Sequence, residues 1–199
     1  ELANNLIRQG RTIEAEAIVR ETLLGILKRQ GKNSLIAQFA INSLAGAVSA
    51  QGRHEEALQL RKVALEILVT SKVPSDSSSV GTTKFRMATS LSRLGKWKEA
   101  SELFELVSQE MVQNRIIYKQ LERESADLPI SLIKSGKPDA ALTLIKPLYE
   151  KDKARLGVKH ANTANKGALM AAALTDLDKR SDALKLFRSA IPILLTKSR

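Results

Sequence analysis

One short phrase returns five times along these 199 residues, and its spacing leaves few folds open. The instances are QGRTIEAEAI, QGRHEEALQL, LGKWKEASEL, SGKPDAALTL and LDKRSDALKL: a turn residue, an alanine five positions later, and apolar residues beyond it. The turn residues Gly10, Gly52, Gly95, Gly136 and Asp178 lie 42, 43, 41 and 42 residues apart, followed by Ala15, Ala57, Ala100, Ala141 and Ala183. A fixed period of this length marks a repeat architecture. Upstream of each turn stands an aligned trio: Leu2, Ala3, Leu6; Leu44, Ala45, Val48; Met87, Ala88, Leu91; Leu128, Pro129, Leu132; Met170, Ala171, Leu174. Separations of one and three residues put each trio on one helical stripe. A second stripe follows the turn, as in Ala57, Leu60, Ala64, Leu65 and Leu68.

Each unit therefore reads as a helix A, a tight turn and a helix B. The turn glycine supplies the left-handed backbone that ends helix A, Asp178 tolerates the same conformation, and the small alanine lets helix B approach helix A closely. One hairpin cannot bury both of its stripes, so neighbours must stack to complete a core. The expected fold is an all-α solenoid of about five helix-turn-helix units, approximately 1–32, 33–74, 79–124, 125–158 and 159–199, within a single domain 1–199. No strand alternation competes with it.

These residues resemble the tetratricopeptide repeat (TPR) family across essentially the whole chain. The small residue in helix A, the turn glycine and the alanine in helix B match its signature, with Trp97 in the turn-flanking aromatic slot and Phe104 and Phe187 in the helix B aromatic slot. The ~42-residue period exceeds the family's usual 34, and together with the stretch RLGVKHANTA (155–164) it looks like the kinesin-light-chain subclass, whose inter-repeat segment has a similar Leu-Gly…His signature. More narrowly, ADLPISLIKSG, LGVKHANTA and AIPILL resemble the repeat region that precedes a caspase-like CHAT protease domain in bacterial proteins. The resemblance implies a right-handed solenoid that scaffolds or regulates by holding a peptide or partner helix on its concave face. Departures are Arg61 in place of the expected aromatic, Thr22 and Val107 in place of a small residue, and Pro129 within helix A.

Local breaks refine the pattern. SKVPSDSSSVGTT (71–83) is read as a solvated loop carrying five serines, with Pro74 and Gly81 halting its neighbours and helix B2 stopping near Thr70. Between Gln109 and Glu124 no breaker occurs, which is satisfied by a long helix B3 or by a short extra helix. Pro129 fits only the first turn of a helix, so A4 is expected to start near Asp127, capped by Ser125 or Asp127.

Little catalytic chemistry is on offer. With no cysteine and two histidines, the chain lacks thiolate metal sites and a cysteine nucleophile. HEE at His54 has no second histidine at zincin spacing, and the Gly-Lys pairs at Gly95 and Gly136 lack the rest of a phosphate loop. His54 aligns with Trp97, predicting a packing role, and His160 is expected to cap or steady helix A5. The chain is therefore expected to be no enzyme and to need no cofactor or metal. No apolar run approaches the ~20 residues of a membrane span, and ELANNLIRQG lacks a secretory signal's regions. A soluble protein with no membrane partner is expected, in the cytoplasm or in the periplasm after loss of a signal; opening on Glu1 inside a helical pattern, it reads as part of a longer protein.

Basic residues number 32 against 21 acidic, a net charge of +11, of which residues 136–199 carry +7. Such an excess speeds encounter with acidic partners without specifying them. No dense basic tract alternates with stacking aromatics, so nucleic acid ranks behind protein as a partner. Helix A side chains pointing away from helix B are the natural contact set: Asn4; Phe39, Asn42, Gly46 and Ser49; Phe85, Arg86, Thr89 and Arg93; then Arg123, Lys134, Asn165, Ala168 and Ala172. Asparagine meets a peptide backbone and arginine forks onto a carboxylate, which suits an acidic segment. Asn4 and Arg86 also fall where TPR domains that clamp a chaperone's terminal carboxylate place Asn and Arg, although the second Asn is shifted to Asn42 and Thr82 replaces a Lys. Rival readings are a polyanion-binding module using the basic last third, and self-association through apolar solenoid ends.

Overall fold

The computed structural model describes residues 2–196. Among them are eleven α-helices and no strand: α1 (Leu2–Arg8), α2 (Thr12–Gln30), α3 (Leu35–Ala50), α4 (His54–Thr70), α5 (Ser78–Arg93), α6 (Trp97–Glu110), α7 (Arg115–Glu124), α8 (Asp127–Lys134), α9 (Pro138–Leu156), α10 (Ala161–Asp176) and α11 (Arg180–Thr196). Five antiparallel-type A/B pairs are α1/α2, α3/α4, α5/α6, α8/α9 and α10/α11, and α7 is the short extra helix. The chain forms two compact units, the first ending at Glu122 and the second starting at Arg123. No helix of the described residues is long and apolar enough to cross a membrane.

The five corners share one hydrogen-bond scheme. At the first, the Gly10 N–H donates to the Ile7 carbonyl and the Arg11 N–H to the Leu6 carbonyl; Gly52 and Arg53, Gly95 and Lys96, Gly136 and Lys137, and Asp178 and Lys179 repeat it. This double closure satisfies the last carbonyls of helix A and requires positive φ at its centre. The four glycines adopt φ of 76° to 80° and Asp178 adopts 60°. The basic residue after each corner then starts helix B, its carbonyl accepting from the N–H of the repeat alanine. Ala15, Ala57, Ala100 and Ala141 have no exposed surface, so the alanine is small because helix A occupies the space beyond it.

Helix starts explain where the sequence reading was wrong. The 71–83 segment is not a loop throughout: Ser77 caps α5 by accepting from the Val80 N–H at 3.3 Å, and Gly81 lies inside that helix. Gly81 is tolerated there because Met111 needs its space; a β-carbon would come within 2.3 Å of the Met111 sulfur, which is itself fully buried. Ser34 caps α3 in the same way. Pro129 occupies the first turn of α8, where no N–H is needed, and the Ser125 hydroxyl accepts from the Leu128 N–H. His160 caps α10 through Nδ1 and the Asn162 N–H at 3.1 Å.

In the first unit the core culminates in an aromatic cluster. Phe85 meets Phe104 edge-on at 4.8 Å and Tyr118 at 6.3 Å, which ties α5, α6 and α7 together. Full burial of Phe104 contributes about 3 kcal/mol.

Candidate partner-binding surfaces

The predicted contact residues separate into three groups. Phe39 on α3 is 72% exposed, and Asn4, Arg86, Arg93, Arg123, Lys134 and Asn165 are also exposed on their helices. Ser49 and Thr89 are half-buried. Phe85 and Asn42 do not belong to the surface. Phe85 is 3% exposed because the aromatic cluster claims it, and Asn42 is 9% exposed with its amide donating to the Thr83 hydroxyl at 2.8 Å. Asn42 faces the next A helix, and Phe85 faces Phe104 of α6 and Tyr118 of α7.

Within the first unit, α3, α4 and α5 enclose a hollow of about 480 Å³ lined by Gly46, Ser49, Ala50, Gly52, His54, Arg61, Thr89 and Arg93. Four of these, Gly46, Ser49, Thr89 and Arg93, were expected on the wall. His54, expected simply to pack, instead lines the hollow, its Nδ1 lying 3.3 Å from the Ser49 hydroxyl. Arg61, which also lines the hollow, is not among the residues that the sequence places on the wall. Its signal was its position: it stands four residues after the repeat alanine, where the other units carry Val19, Phe104, Ile145 and Phe187.

Arg61 is 4% exposed. One terminal guanidinium nitrogen donates to the Arg86 carbonyl at 2.8 Å and to the Ser90 hydroxyl. Its Nε–H is buried without an acceptor. Burial, with a smaller push from the Arg86 charge, pulls its pKa down to about 10, so the guanidinium still carries its proton at neutral pH.

The second unit has a hollow of a different kind. Ile130, Ile133 and Lys134 of α8, Leu169, Ala172, Thr175 and Asp176 of α10, and Phe187 of α11 line about 290 Å³ of mainly apolar space. Lys134 and Ala172 were expected there. Nearby on α9 and α10, the Lys166 ammonium donates to Asp152 at 2.7 Å, and Arg155 lies 3.6 Å from the same carboxylate. The Lys166 hydrogen bond, helped by both positive charges against the opposing effect of burial, holds the Asp152 carboxyl below its usual range. Among the described residues no cluster of His, Cys, Asp and Glu has the makings of a metal site.

The tetratricopeptide repeat family profile matches residues 1–21 and the PPR repeat profile residues 86–112. No curated protein sequence matches the chain. Among solved structures, a Podosopora anserina protein of nearly identical TPR-like repeats, assigned to the kinesin light chains, is similar at a TM-score of 0.71 and 20% identity. That match covers 100% of this chain and 94% of the other. A single-residue variant of that protein gives 0.72 at the same identity and the same coverage. BtubC (BKLC) from P. vanneervenii gives 0.65 at 18% identity, covering 99% of this chain and 78% of its own. The chain has the all-α solenoid fold of tetratricopeptide-like helical repeats.

Proposed function

We propose that this chain is a non-catalytic protein-interaction module that holds an extended or helical peptide against its A helices, with acidic segments preferred. The observation that carries this reading is the stripe formed in the first unit by Phe39, Ser49, Arg86, Thr89 and Arg93. There Ser49, Thr89 and Arg93 line an open hollow, and Phe39 and Arg86 are exposed on the same two helices, α3 and α5. Aromatic side chains and arginine are enriched at protein interfaces. Repeat proteins of this fold commonly serve as scaffolds, and the net charge of +11 favours encounter with acidic partners. Selection of peptides from a random library on the immobilised chain tests the reading. Acidic sequences are expected to be enriched, and the Phe39→Ser plus Arg86→Ala variant is expected to lose them. Enrichment that is indifferent to both substitutions removes the site.

The resemblance of ADLPISLIKSG, LGVKHANTA and AIPILL to CHAT-associated repeats supports a narrower role: presenting or restraining an attached caspase-like effector. The coding sequence downstream of Arg199 checks this, a caspase-type His and Cys pair being the expected finding.

A further inference from the structure

We propose that the hollow between α3, α4 and α5 is a carboxylate-binding pocket organised by Arg61, which receives an acidic side chain of the peptide held on the wall. This deepens the reading above and rests on it for the identity of the ligand's owner. Helix B needs an apolar filler four residues after its alanine, and four units supply one; Arg61 alone brings a charge to that layer.

Arg61 pairs with no carboxylate among the described residues, its two hydrogen bonds go to neutral acceptors, and one buried N–H has none. A desolvated cation left in this condition is unfavourable unless an anion completes it. The residues around the hollow include no acid; they add Arg93 and the Ser49 hydroxyl, groups of a type that donates to an oxyanion, whereas the Thr89 hydroxyl already donates to the Phe85 carbonyl at 3.2 Å. Gly46 leaves open space where a side chain would stand, so an approaching peptide is not obstructed there. A guanidinium matches a carboxylate's two oxygens in a planar fork. This arrangement is distinct from a terminal-carboxylate clamp: Asn42 is committed to Thr83, and the decisive charge comes from helix B.

The test uses the whole chain and two probes. Sodium succinate replaces sodium chloride at constant ionic strength, and thermal unfolding is followed. At about 50 mM the wild type is expected to gain roughly 3 °C, Arg61→Met to gain nothing, and Arg61→Lys to keep part of the response. Each shift is read against the same variant in chloride, so a change in basal stability does not confuse it. In the second arm, acidic peptides from the library selection are compared with copies carrying Gln for Glu. A preference of roughly tenfold for Glu is expected in the wild type and none in Arg61→Met. A succinate response without peptide preference makes the pocket a site for free small carboxylates and sinks the peptide reading. Equal succinate shifts in wild type and Arg61→Met, or no shift in either, overturn the pocket, while peptide binding elsewhere on the wall stands.

Discussion

In the first unit Arg61 is buried with no carboxylate beside it, whereas in the second Lys166 closes on Asp152 at 2.7 Å. The surroundings differ in the same sense. The first unit's hollow is lined by hydroxyls, a histidine and arginines, and the second's mainly by aliphatic side chains with Phe187. Both rest on one scaffold, with the same corner hydrogen bonds and the same buried alanine. The repeat therefore specifies backbone and leaves the layer four residues past the alanine free to be either structural filler or binding group. Phe104 and Arg61 are the two extremes of that choice.

The strongest way to break the comparison is to delete the filler. Phe104→Ala removes a fully buried ring from contact with Phe85, and denaturant unfolding should show a loss of about 4 kcal/mol. A loss near zero would mean that this layer is not core at all.

Replacing the charge should act in the opposite direction. Arg61→Met keeps a long unbranched side chain of similar volume while removing a desolvated, unpaired cation. The Ser90 hydroxyl is then free to donate to the Arg86 carbonyl one turn back, an acceptor that Arg61 now uses. Stability in chloride buffer is expected to rise by about 2 kcal/mol. A fall of that size would show that Arg61 is a structural strut rather than a group held in readiness.

How much of this was legible beforehand follows from which properties are periodic. The corners were readable because positive φ demands Gly or a residue like Asp178, and the helix faces because apolar spacing recurs. The α5 start was misread because its serines look like loop in composition; only the Ser77 cap and the Met111 contact reveal a helix that begins among them. Phe85 and Asn42 were misplaced for a geometric reason. The apolar trio does not by itself reveal that Phe85 also turns toward helix B, where Phe104 meets it, nor where the following A helix leans on Asn42 through Thr83. Arg61 stood out in the sequence as a departure from the family pattern, yet departure alone does not distinguish a tolerated substitution from a working group; its burial and missing counter-ion do.

Asp152 supplies the finest test, because neutralising it recreates in the second unit the condition of Arg61. Asp152→Asn leaves Lys166 with a weaker, neutral acceptor, and at pH 7 a loss of about 1 kcal/mol is expected. The pH dependence carries the diagnosis. Since the Asp152 carboxyl titrates lower in the folded chain than in the unfolded one, its contribution is complete above the unfolded value, and it fades as the pH falls through the folded value. Wild type and Asp152→Asn should therefore differ at neutral pH and converge in acid, while Arg61→Met and wild type, which differ by a group with a pKa of about 10, keep a constant gap from neutral pH down through the acidic range. Curves for Asp152→Asn that stay parallel to wild type through the carboxylate range would show that Lys166 draws nothing from the pair. The contrast between a satisfied and an unsatisfied cation would then lose its second half.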